Sequence, residues 1–137
     1  MIPQIPETWH EAFPGTIPQD TYTIHLQYGE RQGLTILLEG NTHNVTMTFG
    51  NVQAANILDE GIQLGGPGIT NHDQLRSSNF AATLYLVENG YYAAHIKSQM
   101  SPALYETFNL RQYVLVTLNY VVEIISGFEP TIQTRSK

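Results

Sequence analysis

Thr21-Tyr22-Thr23-Ile24-His25-Leu26-Gln27-Tyr28-Gly29-Glu30-Arg31-Gln32-Gly33-Leu34-Thr35-Ile36-Leu37-Leu38-Glu39 decides the fold class. Tyr22, Ile24, Leu26 and Tyr28 recur with a period of two and share one face, while Thr23, His25 and Gln27 share the other, which is the pattern of a half-buried strand. The glycine-bounded segment from Gly29 to Gly33 turns the chain into Leu34, Ile36 and Leu38, alternating with Thr35, Leu37 and Glu39, so the stretch reads as a hairpin. Gly40-Asn41-Thr42-His43-Asn44 turns it again into Val45, Met47 and Phe49, alternating with Thr46 and Thr48. The result is a three-strand antiparallel meander.

On the C-terminal side, Val52 to Leu58 reads as a fourth strand in preference to a turn of helix, since Val52 and Ile57 suit a strand although Ala54-Ala55 suits a helix. Residues 61–78, with Gly65-Gly66-Pro67-Gly68, form the longest loop. Phe80, Ala82, Leu84 and Leu86 alternate as another strand, which runs into Glu88-Asn89-Gly90. Asn89 is the expected N-cap of one short helix beginning at Tyr91 and ending before Pro102. Tyr113 to Ile125 places Val114, Val116, Leu118, Tyr120, Val122 and Ile124 on one face. Its β-branched content points to a strand or to a hairpin bent near Asn119, with a buried helix as the alternative. Thr131 to Lys137 reads as a short tail.

On the N-terminal side, four of the seven prolines fall in the first eighteen residues, and each denies a backbone donor and favours extended geometry before it. Residues 1–19 are therefore expected to form an extended arm, packed on the body through Trp9 and Phe13. The whole chain of 137 residues has the length of a single domain. The pattern predicts an α+β, strand-dominated fold: a twisted antiparallel sheet of about six or seven strands with one short helix.

Charged residues make up only 13% of the chain, so Thr, Asn, Gln and Ser must supply much of the polar surface, and a charge-rich disordered tail or coiled coil is excluded. The formal charge of -6 repels phosphate backbones and would steer a basic partner, which argues against nucleic acid. With no cysteine there is no disulfide, thiolate metal site or thiol nucleophile. No apolar run has the length of a signal peptide near the start or of a membrane span elsewhere, so a cytoplasmic location is expected.

No catalytic signature emerges. His10, His25, His43, His72 and His95 lack the spacings that bring imidazoles to one metal ion, and neither a metal nor a cofactor is expected. Thr70-Asn71-His72-Asp73 reads as a turn, and Gly65 to Gly68 lacks the Lys-Ser/Thr of a phosphate loop. Asp59 and Glu60 are adjacent, so on a strand they point to opposite faces and cannot act as a facing acid–base pair. No serine sits in a nucleophile elbow. The acidic residues Asp59, Glu60, Asp73, Glu88 and Glu123 are instead candidates for partner-facing charge, and Tyr91 and Tyr92 for apolar anchors with polar tips.

The run Val87-Glu88-Asn89-Gly90-Tyr91-Tyr92, a polar stretch with Ser98-Gln99, and then Gln112 to Ser126 closed by Glu129-Pro130 resembles a group of small bacterial proteins without assigned function. Phe49 to Gly61 resembles the acidic turn of the same group, which is similar in size and β-rich pattern to the immunity proteins encoded beside polymorphic toxins. The chain departs from that pattern at Gly90, where a serine is expected, and at Gln112, where a histidine is expected. The resemblance implies a non-catalytic protein-binding module that neutralises a basic toxin by occluding its active site. A self-associating structural or assembly β protein, using exposed sheet edges, is the competing expectation.

Overall fold

The computed structural model describes residues 7–59 and 82–137. Among them the strands are β1 (Thr8–Glu11), β2 (Thr23–Gly29), β3 (Gly33–Glu39), β4 (His43–Gly50), β5 (Ala54–Asp59), β6 (Leu84–Glu88), β7 (Arg111–Val116), β8 (Tyr120–Ser126) and β9 (Thr131–Ser136). Helices α1 (Tyr91–Ser98) and α2 (Pro102–Thr107) lie between β6 and β7.

β2, β3 and β4 form the meander that the alternation predicts, with Leu26 opposite Ile36 and Ile36 opposite Met47. Gly33 is obligatory in the first turn: its φ is +76°, and a Cβ there would run into the backbone of Gly50. β5 is a strand, as expected for 52–58, and pairs with β8.

The expectation of one sheet with six or seven strands and one helix is corrected. The described residues contain nine strands in two antiparallel sheets, ordered β1-β6-β7-β8-β5 and β2-β3-β4-β9, and two short helices. The two extra strands come from the ends. β1 lies within the supposed arm and has only four residues, too few for a period to register. β9 lies within the supposed tail and pairs with β4 from Thr131 to Ser136. Only Ile132 of β9 is even half-buried, so it has no apolar alternation to read.

The sheets face each other across one core. Tyr22, Leu34, Ile36, Leu38, Val45, Met47 and Phe49 come from the four-stranded side, and Leu84, Tyr113, Leu115, Val122 and Ile124 from the other. The 113–125 segment is a hairpin, bent over 117–119 and closed by Thr117, whose backbone N–H and hydroxyl both donate to the Tyr120 carbonyl. Its single apolar face is corrected by the register. Val116 pairs with Val121 and Leu115 with Val122, so the turn exchanges odd and even positions. Tyr113 and Leu115 join Val122 and Ile124 in the core, while Val114 faces outward with Val121.

The five-stranded sheet therefore buries residues on both faces. On the outer one Trp9, Tyr85, Val87, Val114 and Val121 form a second cluster, with the Trp9 and Tyr85 rings 5.5 Å apart. Trp9 is 2% exposed and is held by the pairing of β1 with β6.

Candidate functional site

Functional geometry gathers where β6 hands over to α1. Asn89 is not the N-cap. It takes a left-handed conformation, φ 57°, that reverses the chain, and Gly90 occupies the cap position with an extended backbone. The first N–H groups of α1 then need acceptors from elsewhere. Tyr91 N–H donates to Glu7 Oε2 at 2.6 Å, and Ala93 N–H donates to the side-chain oxygen of Gln112 at 2.9 Å. A carboxylate is favoured at that end of a helix by the dipole as well as by the free donor.

Glu7 is fully buried, and its other oxygen accepts from Trp9 Nε1 at 3.1 Å. Gln112, 2% exposed, donates onward to Glu123 Oε2 at 3.4 Å, and Asn56 Nδ2 donates to Glu123 Oε1 at 3.1 Å. A polar network thus runs from β1 through α1, β7 and β8 to β5 on the outer face of the sheet.

Gly90 and Gln112, the two departures from the resembled pattern, touch each other: a Cβ at Gly90 would overlap the Gln112 amide. The missing side chain leaves the space that the Gln112 side chain occupies.

Burial pushes the Glu7 carboxyl above its ordinary range against the bonds from Tyr91 and Trp9. Burial likewise raises Glu123, the bond from Asn56 opposes it, and the negative charge of Glu7 adds to the rise. Tyr92 is raised by burial and then by the Glu123 charge. Two raised carboxyls invite acid–base chemistry, but each of their four oxygens accepts a hydrogen bond from the protein itself. The arrangement ties α1 to the sheet.

Beside it lies a cleft of about 530 Å³, walled by Leu86, Leu110, Tyr91 and Tyr105, with Glu88, Lys97 and Arg111 among its charged residues. The Lys97 ammonium lies 5.7 Å from the centre of the Tyr105 ring.

The candidates chosen from sequence do not form one patch. Glu88 and Tyr91 share the cleft. Tyr92 feels the charge of Glu123, and Glu123 is half-buried within the network instead of facing solvent. Asp59 pairs with Tyr120 at one end of the sheet, whereas Glu88 belongs to the end where Arg111 pairs with Ser126; the two rows are about 20 Å apart along the strands. Glu60, Asp73 and the 61–78 loop lie outside the described residues. Sequence reading missed Glu7, Gln112, Lys97 and Arg111. Gln112 alone carried a signal, as a departure from the resembled pattern.

Charge divides unequally between the sheets. The four-stranded side, with the loop leading into it, carries Asp20, Glu30 and Glu39 against Arg31, Arg135 and Lys137. The other side exposes Glu11, Asp59, Glu88, Glu106 and Glu129, against Lys97 and Arg111. Among the described residues no three His, Asp or Glu side chains converge on a metal position, and no helix is long and apolar enough to cross a membrane.

Comparison with protein-family models, with curated proteins and with solved structures finds no match.

Proposed function

We propose that the chain is a non-catalytic binding protein of the immunity type, acting in the cytoplasm, where it neutralises a basic toxin domain by covering its active site. The observation that carries this reading is the concentration of exposed carboxylates on the five-stranded half. Among the described residues, an acidic five-stranded half beside a balanced four-stranded one would orient a basic partner during encounter and raise the association rate. Tyr91 at the cleft and Phe128, 63% exposed beside Glu129, offer apolar contacts within that charge. The self-bonded state of Glu7 and Glu123 favours a binding role over a catalytic one.

The test is association with a basic domain encoded beside this chain, followed by stopped flow at low and high salt. Glu88→Lys should slow association at low salt, and Glu30→Lys on the other sheet should leave it unchanged. Equal effects from both would remove the charge argument.

Self-association is the second reading, favoured by β5, an edge strand on which Ile57 is 55% exposed. A discrete homo-oligomer in light scattering, with no binding to the basic domain, would select it.

A further inference from the structure

We propose that the cleft along α1 binds a small monocarboxylic acid with an apolar body, a medium-chain acid such as octanoate being the simplest example. The proposal stands independently of the protein-binding reading.

The first argument is shape and lining. The volume of about 530 Å³ lies in the range of small-molecule sites, and Leu86, Leu110, Tyr91 and Tyr105 provide the mostly apolar walls such sites share. Tyr91 and Lys97 lie at opposite ends of α1, about 9 Å apart at the helical rise, which suits an elongated body more than a compact one.

The second argument is charge. Glu88, the acid on the wall, is 3.6 Å from His10 of β1, and it follows Val87 in the register that pairs Val87 with Gln112, which places Arg111 as its cross-strand neighbour. Arg111 also lies 3.6 Å from Glu129. Lys97 is different: it has no carboxylate partner among the described residues, and its ammonium lies over the Tyr105 ring. In a protein of charge -6, the cleft therefore holds, among the described residues, a cation without a carboxylate beside apolar walls. An ammonium in that setting selects a single negative charge carried on an apolar body. At the N-terminal end of α1, Tyr91 N–H and Ala93 N–H are already taken by Glu7 and Gln112.

The experiment is isothermal calorimetry of the full chain with octanoate and with octanol, its neutral counterpart. Octanoate should bind one to one with Kd of about 1 mM or tighter, and octanol about tenfold more weakly, the loss of one charge-assisted contact. Lys97→Gln should bring octanoate down to the octanol level. Ala94→Trp, which fills the cleft from an exposed position, should abolish both. Amide shifts of the unaltered protein with octanoate should fall on Tyr91 to Lys97 and Leu110 to Gln112, a readout that needs no variant. Absence of octanoate binding, equal affinity for octanol, undiminished binding by Lys97→Gln, or shifts confined to another surface would each overturn the proposal.

Discussion

Gly90→Ala is a substitution whose sign reports the packing around α1. Gly90 has φ -67° and ψ 139°, an extended geometry that alanine adopts without strain. On backbone grounds alone, alanine should stabilise by about 0.4–1 kcal/mol, since it removes freedom from the unfolded chain. The Gln112 amide stands in the way of the new methyl group, however, and must move. Moving it overpacks a closed site, at about 1–3 kcal/mol, and puts the bond to Ala93 N–H at risk, about 1 kcal/mol more. The expected net effect is destabilisation by about 1–3 kcal/mol, or roughly 3–12 °C in melting temperature. In a Gln112→Ala background the obstruction is gone, and the same substitution should become stabilising. Urea titration of the four proteins measures the coupling, expected at about 2 kcal/mol. If Gly90→Ala stabilised the natural chain, or acted alike in both backgrounds, the contact between Gly90 and Gln112 would be wrong.

Three further outcomes are expected. Trp9→Ala should cost about 3–5 kcal/mol in urea unfolding, because it empties a buried site between β1 and Tyr85; a loss below about 1 kcal/mol would mean that β1 is not anchored. Burial raises the folded Glu7 carboxyl above its ordinary 4.5, so folding takes up protons, and stability from this group is present below that value and lost as pH rises through the raised one. The stability difference between the natural chain and Glu7→Gln should therefore shift against the natural chain as pH rises above 4.5; a flat difference would contradict the shift. Asp20 behaves oppositely: the bond from Thr42 N–H, with further bonds from Thr21 and the Thr42 hydroxyl, holds its carboxyl far below the ordinary 3.8. Asp20→Asn should lower the melting temperature at neutral pH, the gap closing as pH falls below the ordinary value, and equal melting at pH 7 would count against these bonds.

Period-two alternation found the strands whose two faces differ. It works for β3 and β4, and for Ile24 and Leu26 of β2, because one face meets the core and the other meets water, so Leu34, Ile36 and Leu38 separate from their neighbours, whereas Tyr28 at the end of β2 is exposed. It fails in two physical situations. β1 and β9 lie at sheet edges, with four residues in one and a single half-buried apolar residue in the other, and neither contains enough turns of the pattern. β7 and β8 are buried on both faces, so Val114 and Leu115 look alike in sequence although one faces outward and the other inward. The parity exchange at 117–119 is set by the length of the turn, which hydrophobicity does not record.

The site was legible only where local sequence decides it. Glu88 and Tyr91 are three residues apart and meet at one turn, so their joint placement at the cleft follows from proximity along the chain. Asp59 and Glu88 both end strands, yet which end of the sheet each occupies depends on strand order, and the antiparallel ladder separates them. Glu7 was hidden for a related reason: a lone carboxylate beside a tryptophan in a proline-rich segment has no local meaning until β1 pairs with β6 and brings it to the first N–H of α1. Gly90 and Gln112 show the same limit from the other side. Along the chain they are two unconnected residues twenty-two positions apart, one without a side chain and one presenting an amide. In space the first vacates the volume that the second fills, and the amide then supplies the acceptor that neither Asn89 nor Gly90 gives the helix. The unit that packing acts on here is the pair, which is why the effect of altering either residue depends on the other.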